Sequence, residues 1–170
     1  MGSEPDEPIM TAFQIPVKTA SSSETPTPKH KEARMTHQIE VIVKCPNCGK
    51  SLMNPSVQVD NLPSIELEAV IENKKGRIYL SQIYGSYNKV FEGVDDIPDA
   101  VVQCACPFCH DLLPIVKTCT CKAPVASVNL ALGGSVNFCT RNGCKGHSLE
   151  FENSDDAFKL FLDRDESRYL

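Results

Sequence analysis

The chain has 170 residues, a formal net charge of -5, nine cysteines, no tryptophan and few other aromatics. That length suits one domain, or two small ones and a tail. The 41 % apolar fraction already counts the cysteines, so the rest of the core is thin and needs a disulfide, metal or partner to staple it. No apolar run approaches the ~20 residues of a membrane span. The acidic opening MGSEPDEPIM has no leader-like apolar region. The reading is therefore cytoplasmic, where thiols stay reduced and close cysteine pairs are more often metal ligands or redox thiols than disulfides.

In chain order, residues 1–36 hold five of the twelve prolines and no cysteine, and SSSETPTPKHK at 21–31 cannot bury enough apolar surface to order itself. A disordered tail is expected, with a partner-binding arm around 9–17 as the alternative and Met35 as an alternative start. Residues 37–43 alternate as a strand, with Ile39, Val41 and Val43 on one face. Residues 64–72 place Ile65, Leu67, Ala69 and Ile71 on one face, NKKG at 73–76 reads as a turn, and 77–84 as the partner strand. Shorter strands are expected at 89–92 and 100–103. Residues 125–131 and 135–138 flank Gly133–Gly134 as a second hairpin, and 148–151 closes the β-rich part. Ser154 can cap a helix over roughly 155–165, with Asp155 and Asp156 in its first turn and Phe158, Phe161 and Leu162 as its apolar stripe.

The cysteines fall as Cys45-x2-Cys48, Cys104, Cys106-x2-Cys109, Cys119-x-Cys121 and Cys139-x4-Cys144. Eight are paired, enough for two four-thiolate sites of the closed, tetrahedral kind that structural zinc takes. Cys45-Pro-Asn-Cys48-Gly49 has the tight turn that aims two thiolates and nearby amides at one ion, and Cys106-Pro-Phe-Cys109 repeats it with His110 in the glycine position.

These knuckles, CPNCGKSL at 45–52 and CPFC at 106–109, resemble those of zinc-ribbon proteins, which share them with rubredoxins. The resemblance covers about 45–151. CTC at 119–121 and CTRNGC at 139–144, with 17 residues between Cys121 and Cys139, suggest a second ribbon. It is similar, too, to an uncharacterised bacterial group of double zinc-ribbon proteins, a likeness that carries no activity. The implied fold is mainly β, with tandem zinc ribbons, an inserted β-sheet in the first and one short C-terminal α-helix. The segments are then a tail at 1–36, a first ribbon at 37–115, a second at 116–152 and the helix within 153–170. The 57 residues between Cys48 and Cys106 exceed what a minimal ribbon needs and must hold the inserted sheet. Cys45, Cys48, Cys106 and Cys109 would bind one zinc, and Cys119, Cys121, Cys139 and Cys144 the other. A cross-braced order pairing 45/48 with 119/121 stays open, though the hairpin between Cys121 and Cys139 favours the sequential one. Cys104 is left over: a buried apolar residue, an alternative ligand or a reactive thiol. His147 could replace a thiolate in the second site, but reads better as a surface histidine.

Other chemistries fare less well. Cys106-Pro-Phe-Cys109-His110 matches the c-type haem motif, which requires export. The CPNC and CPFC pairs lack the long following helix of a thiol–disulfide active site, because Pro55 and Pro114 come too soon. Iron fits the same four thiolates; the scarcity of aromatics near the knuckles favours zinc, while iron–sulfur clusters pass on cysteine count. Residues 37–149 balance ten acidic and ten basic side chains, whereas 150–170 hold seven acidic and three basic. Each zinc tetrathiolate adds a further -2, taking the loaded chain to about -9, the wrong sign for phosphate binding. Lys74, Lys75 and Arg77, and Arg141 with Lys145, remain as small basic groups, and Tyr79, Tyr84 and Tyr87 as sheet or interface aromatics. There is no P-loop, G-x-S-x-G or H-E-x-x-H, so no enzyme is read. The expected function is a zinc-dependent protein-interaction or accessory subunit, with a nucleic-acid-binding ribbon and a rubredoxin-like iron electron carrier as alternatives.

Overall fold

The computed structural model describes residues 38–153 and Asp155. The tail expected at 1–36 and the helix expected over 155–165, Asp155 apart, lie outside the described residues. The described chain is mainly β, arranged as two antiparallel sheets with almost no helix.

Ten strands follow in order: β1 (Val43–Lys44), β2 (Met53–Val59), β3 (Leu62–Ile71), β4 (Lys74–Leu80), β5 (Lys89–Glu92), β6 (Gln103–Ala105), β7 (Ile115–Thr118), β8 (Pro124–Leu130), β9 (Ser135–Cys139) and β10 (His147–Glu150). One sheet runs β2-β3-β4-β5, with β6 also on β3; the other runs β1-β8-β9-β10, with β7 also on β8. Each sheet thus has a long central strand carrying two short strands end to end along one edge. On β3, β2 covers 62–65 and β6 covers 68–70. On β8, β7 covers 124–126 and β1 covers 129–130. The sheets do not divide at 115/116: β1 lies with β7–β10, and β6 lies with β2–β5.

This arrangement is an internal repeat. β1–β5 and β6–β10 follow the same path, and a constant shift in sequence carries Val41 to Val102, Val43 to Cys104, Cys45 to Cys106 and Leu52 to Leu113. The hydrogen bonds shift with them. Val41 N donates to Gln82 O and Val102 N to Thr140 O, both at 2.8 Å; Leu52 N donates to Val43 O at 3.0 Å and Leu113 N to Cys104 O at 2.9 Å. Because each repeat lends its first strand to the other's sheet, each Cys-x2-Cys turn crosses from one sheet to the other.

Sequence and structure differ at several elements. The turn expected at 73–76 is tighter: Glu72 and Asn73 alone take positive φ, 47° and 68°, in a two-residue hairpin loop. β2 was not foreseen because it carries Pro55, which sits where the register shifts between Asn54 and Gln58 on a sheet edge, a place that tolerates proline. β7 was missed because all four of its residues are exposed and show no alternation. The strand expected over 37–43 shrinks to β1, with an isolated bridge from Glu40 to Ile83 before it.

One apolar cluster draws on both sheets. Val43, Leu67 and Cys106 are fully buried in it, together with Leu52, Ile71, Ile65, Ile78, Val102, Val128 and Leu130. At about 25 cal/mol per Å² of apolar surface removed from water, this shared core holds the two sheets together. Tyr79 is buried too, and its hydroxyl donates to Glu92 at 2.6 Å, so it serves packing.

Candidate metal centres

The crossing turns bring Cys45, Cys48, Cys106 and Cys109 into one group, two from each repeat. Cys119, Cys121, Cys139 and Cys144 form a second group, from the β7–β8 turn and the end of β9 with its following loop. Within each group the four sulfurs lie within 4.8 Å of one another. The nearer separations are 3.8 Å for Cys45–Cys109 and Cys48–Cys106, 3.7 Å for Cys119–Cys144 and 3.4 Å for Cys121–Cys139. A disulfide needs about 2.05 Å. The edge of a tetrahedron with ~2.3 Å metal–sulfur bonds is about 3.8 Å. Each group therefore has the donor set and spacing to hold a thiophilic metal ion.

The first group is built twice from one local design. Cys45 N donates to Lys50 O at 2.9 Å and Gly49 N to Cys45 O at 3.0 Å; Cys106 N donates to Asp111 O at 3.0 Å and His110 N to Cys106 O at 2.9 Å. The chain leaves each turn through a left-handed residue, Gly49 at φ 72° and His110 at φ 62°. Asn47 N and Phe108 N point at Cys45 Sγ and Cys106 Sγ, at 3.3 and 3.4 Å. Cys45 and Cys106 are buried while Cys48 is exposed, so the group sits at the edge of the core.

The second group is less regular. Cys119 N donates to Ala123 O and Lys122 N to Cys119 O, both at 2.8 Å, with Lys122 at φ 71°. Cys139 N donates to Gly146 O at 2.7 Å. A Cβ on Gly146 would stand 2.8 Å from Cys119 Sγ and 3.6 Å from Cys144 Sγ, so only glycine lets the loop close over the sulfurs. Sequence reading missed Gly146; its place two residues after the last cysteine was the available signal.

The other repeat has no cysteines at the corresponding turn and loop. There Asp60, between β2 and β3, accepts hydrogen bonds from Ser81 Oγ and Ser86 Oγ at 2.6 Å each and from Asn88 Nδ2 at 2.5 Å. A carboxylate ties the β2–β3 turn to the β4–β5 loop where four sulfurs tie their counterparts.

Backbone amides and burial act on these thiols in opposite directions. The Ala123 amide is the largest influence holding Cys121 down at about 6. The Lys50 amide likewise lowers Cys48 and the Cys121 amide lowers Cys119. Burial raises Cys106 and Cys139. Cys109 is pushed up to about 12: the Asp111 amide favours its thiolate, but burial and the neighbouring thiols outweigh it. Four thiols this close cannot all ionise on their own; a divalent cation removes that repulsion and releases protons as it binds.

Cys104 belongs to neither group. It is buried at the position Val43 holds in the other repeat, and burial alone pushes its thiol up to about 12. The structure makes it a core residue. His147 is not in a cysteine group either: Tyr87 Oη and its Nδ1 are 2.9 Å apart, and its ring lies edge-on to Tyr84. His110 Nδ1 meets Glu68 Oε1 at 2.8 Å. Of the basic residues, Lys74 pairs with Asp95 at 3.1 Å and Arg77 with Glu66 at 2.5 Å. Arg141 donates to the carbonyls of Asp99 and Cys121.

Fold and site together define a mainly β protein with two four-cysteine groups fit to hold metal ions. Comparison with family models, curated proteins and solved structures finds no match for this chain. No helix among the described residues is long and apolar enough to cross a membrane.

Proposed function

We propose that the chain is a cytoplasmic zinc protein whose two tetrathiolate sites are structural, and that it works as an accessory or protein-interaction subunit. The observation that carries the zinc reading is the pair of four-sulfur groups with separations near a tetrahedral edge. Zinc favours a closed set of four thiolates, and once bound its binding free energy becomes folding free energy. Cys45, Cys48, Cys106 and Cys109 hold one ion and clamp the two repeats. Cys119, Cys121, Cys139 and Cys144 hold the other. Saturated sites of this kind leave no open coordination position for catalysis.

The interaction reading draws support from exposed apolar side chains around the second knuckle. Phe108, Leu112, Ile115 and Val116 are each at least half exposed. The pairing of Lys74 and Arg77 with acidic neighbours weakens the nucleic-acid alternative, which wants free cations.

Elemental analysis of the purified protein tests the metal. About two zinc per chain, with unfolding on exposure to a chelator, is the expected result. Fewer than two metal ions per chain refutes two sites, and stoichiometric iron with visible colour replaces zinc by the rubredoxin-like alternative.

A further inference from the structure

Beside the second cysteine group, with Cys139 and Cys144 in its wall, lies a cavity of about 350 Å³ lined from both sheets. That volume falls within the ~300–1,000 Å³ of small-molecule sites. Val41, Ile65, Ile78, Val102, Val128 and Val136 supply an apolar floor drawn from both repeats. The rim comes from the β4–β5 loop and the loop after β9, which correspond to each other in the repeat.

The lining is also charge-selective. It includes Lys89, Arg141, Lys145 and His147 but no aspartate or glutamate, although acidic residues outnumber basic ones by 22 to 17 in the whole chain. Arg141 and Lys145 share a loop with Cys139 and Cys144 and also answer the charge of that thiolate group. Lys89 does not: it lies on β5, in the other sheet, with its Nζ 5.9 Å from the Phe91 ring centre. Tyr84 and Tyr87 stand against His147 at ring separations of 4.5 and 5.1 Å, which places amphipathic rings where an apolar interior meets a polar mouth.

We propose that this cavity binds a small apolar molecule bearing one anionic group, of the class of a medium-chain or aromatic carboxylate. The apolar body packs on that buried floor and displaces water from the partly exposed Ile83, Tyr84, Phe91 and Phe138 around it, the main source of affinity. The carboxylate stays at the rim, facing Lys89, Lys145 and His147, where partial desolvation makes a charge-assisted contact stronger than in bulk water. No covalent step is involved; because Cys139 and Cys144 stand in the cavity wall, the site is read with the second cysteine group metal-loaded, as proposed above.

The test uses the full-length, metal-loaded protein and three probes of one chain length: decanoate, decanol and decylamine. Methyl NMR follows binding. Saturable one-site shifts are expected at Val41, Ile78, Val128 and Val136, with decanoate about tenfold or more tighter than decanol and decylamine weakest. Val128→Phe, which fills the floor, should abolish the shifts. Lys89→Glu, an exchange at the rim that leaves the core alone, should weaken decanoate while sparing decanol. The proposal is overturned if no probe saturates, if decylamine binds as tightly as decanoate, or if the shifts lie away from the cavity. Equal loss of decanoate and decanol in Lys89→Glu would likewise overturn the anionic part, and that variant decides even if Val128→Phe does not fold.

Discussion

Replacing Cys104 with valine separates a ligand or reactive thiol from a core residue. Its counterpart in the other repeat is Val43, fully buried, while Cys104 is 6 % exposed. The exchange adds about one methyl equivalent of buried apolar surface, worth ~0.8 kcal/mol. It removes one weak contact, Sγ to Val102 O at 3.8 Å, worth about 0.5 kcal/mol or less. Overpacking ordinarily costs ~1–3 kcal/mol, but Cys104 borders the cavity, so the added methyl has room. The balance is a change between zero and about +0.8 kcal/mol, a melting rise of a few degrees at most. Urea unfolding measures it, and colorimetric zinc release on thiol modification counts the metal in the same sample. Loss of one zinc equivalent, or destabilisation beyond ~2 kcal/mol, would show that the thiol has a role the core reading denies it.

Two glycines should separate strain from steric closure. Gly49→Ala meets only the left-handed backbone penalty, about 1 kcal/mol, since nothing lies within 4 Å of the new Cβ; zinc content stays at two. Gly146→Ala drives a methyl against Cys119 Sγ and should selectively empty the second group, leaving one zinc; two retained equivalents would refute the close packing. Asp60→Asn weakens the carboxylate tie and should cost about 2 kcal/mol at neutral pH, measured by denaturant unfolding. Ser81 first, then Ser86 and Asn88, hold the Asp60 carboxyl below its ordinary value of 3.8. Its stabilisation is therefore full above about pH 4 and lost as pH falls through the lowered folded value. The gap between variant and parent should close below pH 4, and a constant gap down to about pH 2 would refute the assignment.

The sorting of eight cysteines into two groups was legible because knuckle spacing is a local property: Cys45-x2-Cys48 and Cys106-x2-Cys109 announce their geometry within four residues. The hairpins around Glu72–Asn73 and Gly133–Gly134 were legible for the same reason, through alternation and turn residues. The repeat was not read, although VIVKCPNCGKSL at 41–52 aligns on VQCACPFCHDLL at 102–113 and would have placed Cys104 opposite Val43. The β1 and β6 exchange could not have been read from pattern, because strands of two and three residues carry too little periodicity to name a partner. Asp60 drew no reading from the sequence, because the three side chains that bond to it, Ser81, Ser86 and Asn88, lie on a distant loop that only the fold brings to it.

The crossing of the knuckles sets an order of events. The second group closes a stretch running only from Cys119 to Cys144, and 17 residues separate its two inner cysteines. The first group must wait for the chain to travel 57 residues from Cys48 to Cys106, an extra closure entropy of about 1 kcal/mol. That difference is small, but the topological one is not: the first group needs β1 and β6 each to have found the other repeat's sheet. A metal ion held there would therefore be the last stitch in assembly and the first readout of whether both halves are in place. Mass spectrometry of refolding protein should see the one-zinc species holding its ion at Cys119, Cys121, Cys139 and Cys144.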